Sequence, residues 1–383
     1  MDVDVLITNA HVYDPGAGID WEGNVAVCKG KILSLHAPND TVARQTIDAK
    51  DCLVVPGLID LHTHDSRYAT HIGLNPDIAC IPNGVTMVVD CGSSGVSNYR
   101  VVLRILNDFE IRTRLVLHVS AGGQMMTSQF VENCDPSVWN VRLFEDAFEQ
   151  HPNEIVGLKI RASKEVLGQF GKEPVAKAVQ LADHLGTRLF VHATNCVCPM
   201  SELVEMLRPG DVVSHIFHGE GNTILSEAGR VGDALFAAQK KGIVMDVAQG
   251  QGNLSLVLAR ECIAEGFIPD TVSTDLNIPN WRSPLVFSLL MTMTKMMALG
   301  MSQKDVILGT TTHPAKVLGL DQDLGTLREG TTADISVLKI VRTPTVFKDK
   351  YGNKVQSDWR FEARATIVGG NVQFQHPETL SWK

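Results

Sequence analysis

Between Leu53 and about Leu320, short runs of apolar and β-branched residues alternate with stretches of helical periodicity. Apolar runs of four to nine residues without strict alternation suit parallel strands buried on both faces. Eight such runs stand out, at 53–61, 85–90, 114–120, 155–162, 188–192, 211–217, 242–247 and 271–274. Amphipathic stretches with polar faces lie between them at 99–109, 138–150, 173–185, 230–241 and 254–265. Strand and helix in eightfold alternation predict an α/β fold, a closed (β/α)8 barrel of the TIM type. The flanks break this pattern. Residues 1–52 and 326–383 show hairpin-like strands interrupted at Pro15-Gly16, Lys29-Gly30 and Gly369-Gly370, and neither flank holds enough apolar residues for a core of its own. The two ends are expected to meet in one small β-sandwich domain beside a barrel of residues 53–325.

Composition narrows the function classes. With 383 residues and 44% hydrophobic content, the chain can bury a large core. Its 34 basic residues are scattered among 43 acidic ones, giving a net charge of −9, so no basic stripe offers itself to nucleic acid. The most apolar helical stretch, 284–301, carries Ser288, Thr292, Thr294 and Lys295 and reads as a core helix rather than a membrane span. The N-terminal Met1-Asp2-Val3-Asp4 is acidic where a secretory leader is basic, and a cytoplasmic location is expected. The eight cysteines are irregularly spaced, as reduced thiols are. Cys196 and Cys198 lack the second pair that a zinc site of this type requires.

The strongest chemical signal is Pro56-Gly57-Leu58-Ile59-Asp60-Leu61-His62-Thr63-His64, an apolar run ending in two histidines two apart. Residues two apart share a face of a strand, and barrel folds build their active sites at strand C-termini. An H-x-H alone also arises by chance on surfaces, so the other strands decide. His192 ends the run 188–192, and His215 lies within 211–217. Asp275 directly follows 271–274, the last strand, which neighbours the first once the ring closes. Four histidines and a carboxylate at equivalent strand ends fit a metal site. Lys159 lies inside the apolar run Gly157-Leu158-Lys159-Ile160-Arg161, where a free ammonium is costly. It needs either a carboxylate partner such as Asp275 or a modification; addition of carbon dioxide would give a carbamate whose two oxygens can bridge two cations. Arg161 shares the face of Lys159 nearer the mouth, as a clamp for a substrate carboxylate or as an ion pair orienting a loop. Asn195 and Asn277 are hydrogen-bonding candidates for substrate, or loop caps. His118 reads as a rim residue, Asp90 and Asp246 as turn caps, His218 as the rival of His215, and His313 as structural.

Together these residues resemble the amidohydrolase superfamily, in its binuclear form with a carboxylated lysine, over essentially the whole chain. His62 and His64 match the first-strand H-x-H, Lys159 the bridging lysine of the fourth strand, His192 and His215 the histidines of the fifth and sixth, and Asp275 the last-strand aspartate. The stretches 157–163, Gly84-Val85-Thr86 and Thr311-Thr312-His313-Pro314-Ala315 are most similar to the subgroup of dihydroorotase-like and deacetylase proteins. The resemblance implies two divalent metal ions, zinc foremost, with N6-carboxylysine at Lys159 and Asp275 as catalytic acid and base. It implies hydrolysis of an acyl (acetyl) ester or amide of a small carboxylic acid. A cyclic amide hydrolase, of dihydroorotase, dihydropyrimidinase or hydantoinase type, is the alternative with the same metals. In true dihydroorotases an arginine directly follows the first-strand motif, whereas here His64 is followed by Asp65-Ser66-Arg67. A silent scaffold would be expected to have lost ligands, and all six are present. The expected partners are a small-molecule, carboxylate-bearing substrate and further copies of the chain as a homo-oligomer, with neither nucleic acid nor membrane.

Overall fold

The computed structural model describes residues 2–125 and 129–380; Met1 and residues 381–383, at the ends of the two flanks, lie outside it. Seven parallel strands form one curled sheet in sequential order: Leu58–Thr63, Val85–Cys91, Arg112–His118, Ile155–Arg161, Arg188–His192, Val212–Ser214 and Val244–Asp246. Their burial explains the apolar runs, since every residue of Leu58–Thr63 and of Val85–Cys91 is buried. Ile59, Met87, Val89, Val116, Phe190 and Val212 pack together with Ala315 and Leu318 of the helix Thr312–Leu318 in one apolar cluster below the strand C-termini. The helices between strands turn their apolar stripes onto the outer faces, and those at Leu256–Ala264 and Leu289–Ala298 are capped by Ser255 and Ser288.

Two expectations about strands need correction. The run 53–61 is two strands in two sheets, Cys52–Pro56 in the flank sheet and Leu58–Thr63 in the barrel. The break falls at Gly57, where an added Cβ would lie 2.2 Å from Thr86 Oγ1, so only glycine passes between the layers. The run 271–274 is not a regular strand. It closes the ring through isolated bridges, Asp246 with Thr271 and Thr63 with Leu276, and through Asp275 N–H to His62 O at 2.7 Å. Its hydroxyls serve carboxylates of its neighbours: Thr271 and Ser273 donate to Asp246, and Thr274 donates to Asp60. Asp246 is therefore a clasp on the eighth segment rather than a turn cap. Asp90 does hold its own turn, accepting from Asp65 N–H, Ser66 Oγ and Ser93 N–H.

Strands from both ends of the chain share a single eight-stranded sheet, in which Ile335–Val341 lies between Cys52–Pro56 and Arg360–Val368. Ile7, Val25, Ile47, Val54, Val337 and Ile367 form its core. The turns bend through positive φ at Gly30, Gly369 and Gly370, as glycine allows, and also at Lys29. A separate hairpin, Thr345–Lys348 with Lys354–Ser357, reaches back to the barrel. There Asp349 accepts from the Leu256 N–H and Lys350 pairs with Glu220. No helix among the described residues is long and apolar enough to cross a membrane. All eight cysteines are free thiols, and Cys196 and Cys198 lie side by side with sulfurs 3.9 Å apart.

Candidate active site

At the C-terminal ends of the strands lies a cavity of about 310 Å³ whose lining includes His62, His64, Lys159, His192, His215 and Asp275. The barrel brings all six together from the first, fourth, fifth and sixth strands and the eighth segment. His64 Nε2 is 3.2 Å from Asp275 Oδ1 and His62 Nε2 is 3.9 Å from the same oxygen. The rings of His192 and His215 are 4.3 Å apart by centroid, and those of His62 and His215 are 5.1 Å apart.

Each of three imidazoles is oriented through Nδ1. His62 Nδ1 faces Ser214 Oγ at 3.2 Å, His64 Nδ1 faces Ser93 Oγ at 2.9 Å, and His215 Nδ1 donates to Ala248 O at 2.6 Å. A carbonyl only accepts, so the His215 proton is on Nδ1 and its Nε2 carries the lone pair. That Nε2 is buried and has no hydrogen-bond partner among the described residues. Burial above all pulls His62, His192 and His215 well below the usual histidine range, so they are neutral at pH 7 and able to ligate a cation. Burial works to raise Asp275, but the His64 hydrogen bond leads the causes that oppose it, and the carboxyl lies well below the carboxylate range. His62, His64 and Asp275 offer ligand atoms within 4.8 Å of one another. This donor set, with an orphaned buried imidazole nitrogen beside it, fits divalent cations.

Lys159 is 1% exposed. Its Nζ lies 3.1 Å from His62 Nε2 and 3.3 Å from Cys91 Sγ, and among the described residues it has no carboxylate within ion-pair distance. The Asp275 partner that would explain a buried ammonium is thus missing. The backbone also leaves its usual range here: His215, Asp275 and Asn195 have φ of +69°, +53° and +51°. Non-glycine residues in this region cost roughly 1–3 kcal/mol each and cluster at functional sites.

The remaining candidates separate. Arg161 lines the cavity and donates through Nη1 to Glu132 Oε1 at 2.7 Å. Asn195 lines it too and donates to Glu165. Asn277, read as a candidate for substrate or a loop cap, lines the cavity with its side chain engaged in the loop: Nδ2 donates to Asp275 O and Oδ1 accepts from Asn280 N–H. His118 ends the third strand, level with Lys159. It is fully buried, with Nδ1 accepting from Ser120 N–H and Nε2 without a partner among the described residues. His218 turns into its own loop, where Nδ1 accepts from Glu220 N–H, and leaves the cavity to His215. Arg67 stacks on Tyr68 instead of lining the cavity.

Sequence reasoning missed Cys91, Glu132, Asn253 and Gln124. Cys91 ends the second strand, so the strand-end rule that found the histidines could have found it. Asn253 donates to Asp275 Oδ2 at 3.3 Å from a loop with no local signature, and Glu132 lies outside any regular element.

The family pattern of the amidohydrolases matches residues 53–372. The chain belongs to the amidohydrolase family. It is 29% identical over 375 residues to a deacetylase of Agrobacterium fabrum, a match that spans 96% of this chain and 91% of the relative. Among solved structures, an adenine deaminase aligns with a TM-score of 0.87 at 25% identity, over 98% of this chain and all of that one. A dihydroorotase aligns with a TM-score of 0.85 at 28% identity, over 96% and 97%. This amidohydrolase is accordingly a metal-dependent hydrolytic enzyme with a barrel of the TIM type.

Proposed function

We propose that this amidohydrolase is a deacylase that removes a short acyl group, such as acetyl, from a small carboxylic acid with two divalent cations, zinc foremost, as cofactors. The observation that carries the reading is the set of inward-facing imidazoles and the Asp275 carboxylate around a lysine buried without a carboxylate partner. His62, His64 and Asp275 would hold one cation, His192 and His215 the other, and Lys159, carboxylated on Nζ, would serve both. Bound there, the cations supply Lewis acidity, polarising the scissile carbonyl and lowering the pKa of water to about 7.

The protein's own groups do the rest. Asp275, held ionised with the help of the His64 hydrogen bond, takes the proton released as water adds to the carbonyl carbon. It returns that proton to the leaving oxygen or nitrogen as the C–O or C–N bond breaks. Thr194, Asn253 and Asn277 keep Asp275 aimed. Arg161 binds the substrate carboxylate. The relative named deacetylase and the absence of arginine directly after His64 favour acyl removal over ring opening.

The test is metal analysis of the purified protein with a panel of N-acyl and O-acyl carboxylic acids, set against dihydroorotate, hydantoin and dihydropyrimidine. Deacylation with two equivalents of metal is expected, and ring opening alone would replace this reading with the cyclic-amide one. Labelled bicarbonate should give a carbamate carbon signal in the wild type that Lys159→Ala lacks. Full metal content and unchanged turnover in Lys159→Ala would sink the role of the lysine.

A further inference from the structure

The polar groups of the cavity fall into two sets. On the side of the fifth, seventh and eighth segments, hydrogen bonds are closed among the protein's own groups: Thr194 Oγ1 donates to Asn253 Oδ1 at 3.1 Å, Asn253 Nδ2 to Asp275 Oδ2, and Asn277 Nδ2 to Asp275 O. On the side of the third and fourth strand loops, three are left open. Gln124 Oε1, Ser163 Oγ and Arg161 Nε are buried, belong to cavity-lining residues, and have no hydrogen-bond partner among the described residues. A buried polar atom without a partner costs roughly 1–3 kcal/mol; Ser163 Oγ–H and Arg161 Nε–H are donors that an anionic ligand satisfies, and the Gln124 amide meets such a ligand through Nε2, since Oε1 only accepts.

From this we infer that Gln124 and Ser163 are specificity-determining residues which, with the open edge of Arg161, read a planar two-oxygen group of the substrate, and that Glu132 is the positioning residue for Arg161. The inference rests on the acyl-hydrolase reading, in which Arg161 meets a carboxylate, and adds the residues that make the contact selective.

The geometry of the guanidinium gives the reason. Glu132 holds Nη1 at 2.7 Å and its side chain is 2% exposed, so the arginine is fixed by a buried carboxylate. Burial works to raise Glu132, but Arg161 and His118 outweigh it and hold the carboxyl below its ordinary value. With Nη1 occupied, the edge formed by Nε and Nη2 presents two parallel N–H groups, which suits two oxygens of one planar group. Ser163 precedes the helical turn Lys164–Leu167 at the position where a serine hydroxyl normally caps, yet its Oγ makes no cap hydrogen bond. The hydroxyl is left available. Gln124 is anchored by its backbone N–H to Gly92 O at 3.2 Å, and its side-chain amide makes no hydrogen bond to any described residue.

The experiment is calorimetric titration of the full-length, metal-loaded protein with lactate and with lactamide, probes that differ only in carboxylate against carboxamide. The wild type should bind lactate at least ~10-fold more tightly than lactamide, and Gln124→Ala and Ser163→Ala should each weaken lactate by about 5-fold or more. Glu132→Gln, with metal content unchanged, should lose the discrimination between the probes, and Glu132→Asp, which keeps the charge, should restore part of it. Kinetics on the acyl acid found by the panel should show a raised KM with kcat changed by less than about 3-fold in the alanine variants. Wild-type protein that does not prefer lactate, or alanine variants that bind lactate as the wild type does, would overturn the inference. Because binding is read without turnover, that failure is distinct from failure of the deacylase reading, which the substrate panel decides.

Discussion

On one side of the cavity, Thr194, Asn253 and Asn277 direct their hydrogen bonds at one another and at Asp275; on the other, Gln124 Oε1, Ser163 Oγ and the Nε of Arg161 have no partner among the described residues. The first side resembles a protein core, in which polar groups are satisfied internally and rigidity follows. It fixes the one carboxylate that must be aimed at a reacting atom within a few tenths of an ångström. The second tolerates unsatisfied groups because an incoming molecule satisfies them. Rigidity therefore belongs to chemistry and open hydrogen bonds to recognition, and substitutions on the two sides should separate in kinetics.

The largest expected effect is on the closed side. Asp275→Asn keeps the shape and removes the proton carrier, so kcat should fall by ~10³-fold while Kd for lactate changes little. Steady-state kinetics with calorimetry checks this, and a loss confined to KM would erase the contrast between the sides.

A second effect concerns acid stability beneath the open side. Burial holds the His118 imidazole neutral and pulls its pKa down to about 4 from its ordinary 6.5. As pH falls, the unfolded chain takes up this proton first, so stability is full above pH 6.5 and lost progressively toward pH 4, by about 3 kcal/mol in all. Denaturation curves between pH 7 and 4.5 should show that slope, and His118→Asn should flatten it.

Next is Asn253→Ala, which leaves Asp275 aimed by fewer partners. A fall of about 10-fold in kcat with KM nearly constant is expected, and an equal rise in KM would move Asn253 to the recognition side. The smallest is Thr194→Val, which frees Asn253 without touching Asp275 directly. It should cost roughly 2- to 3-fold in kcat, measurable against the Asn253→Ala value in a double-mutant cycle.

How much of this was readable beforehand varies with the kind of interaction. The seven regular barrel strands were legible because strands buried on both faces are apolar throughout, and the six cavity-lining candidates because each ends or follows such a run or, as Lys159 and His215 do, interrupts one. The strand-like composition of Thr271, Val272, Ser273 and Thr274 predicts a regular eighth strand. Its hydroxyls are instead committed to Asp246 and Asp60, and the ladder gives way to bridges. The run 53–61 was read as continuous because apolarity does not reveal which sheet a residue joins; the close approach of Gly57 to Thr86 decides that.

Sequence alone determined the period of the fold, the positions of the strand ends and which titratable residues stand there, because these follow from local pattern and the two-residue repeat of a strand. Only the tertiary structure decided that Lys159 has no carboxylate beside it among the described residues, that Asn277 braces a loop, that His118 is buried, and that Glu132 holds Arg161. Each of these depends on which side chains from distant segments meet and on whether a hydrogen bond is closed by the protein or left open, and no local spacing encodes that.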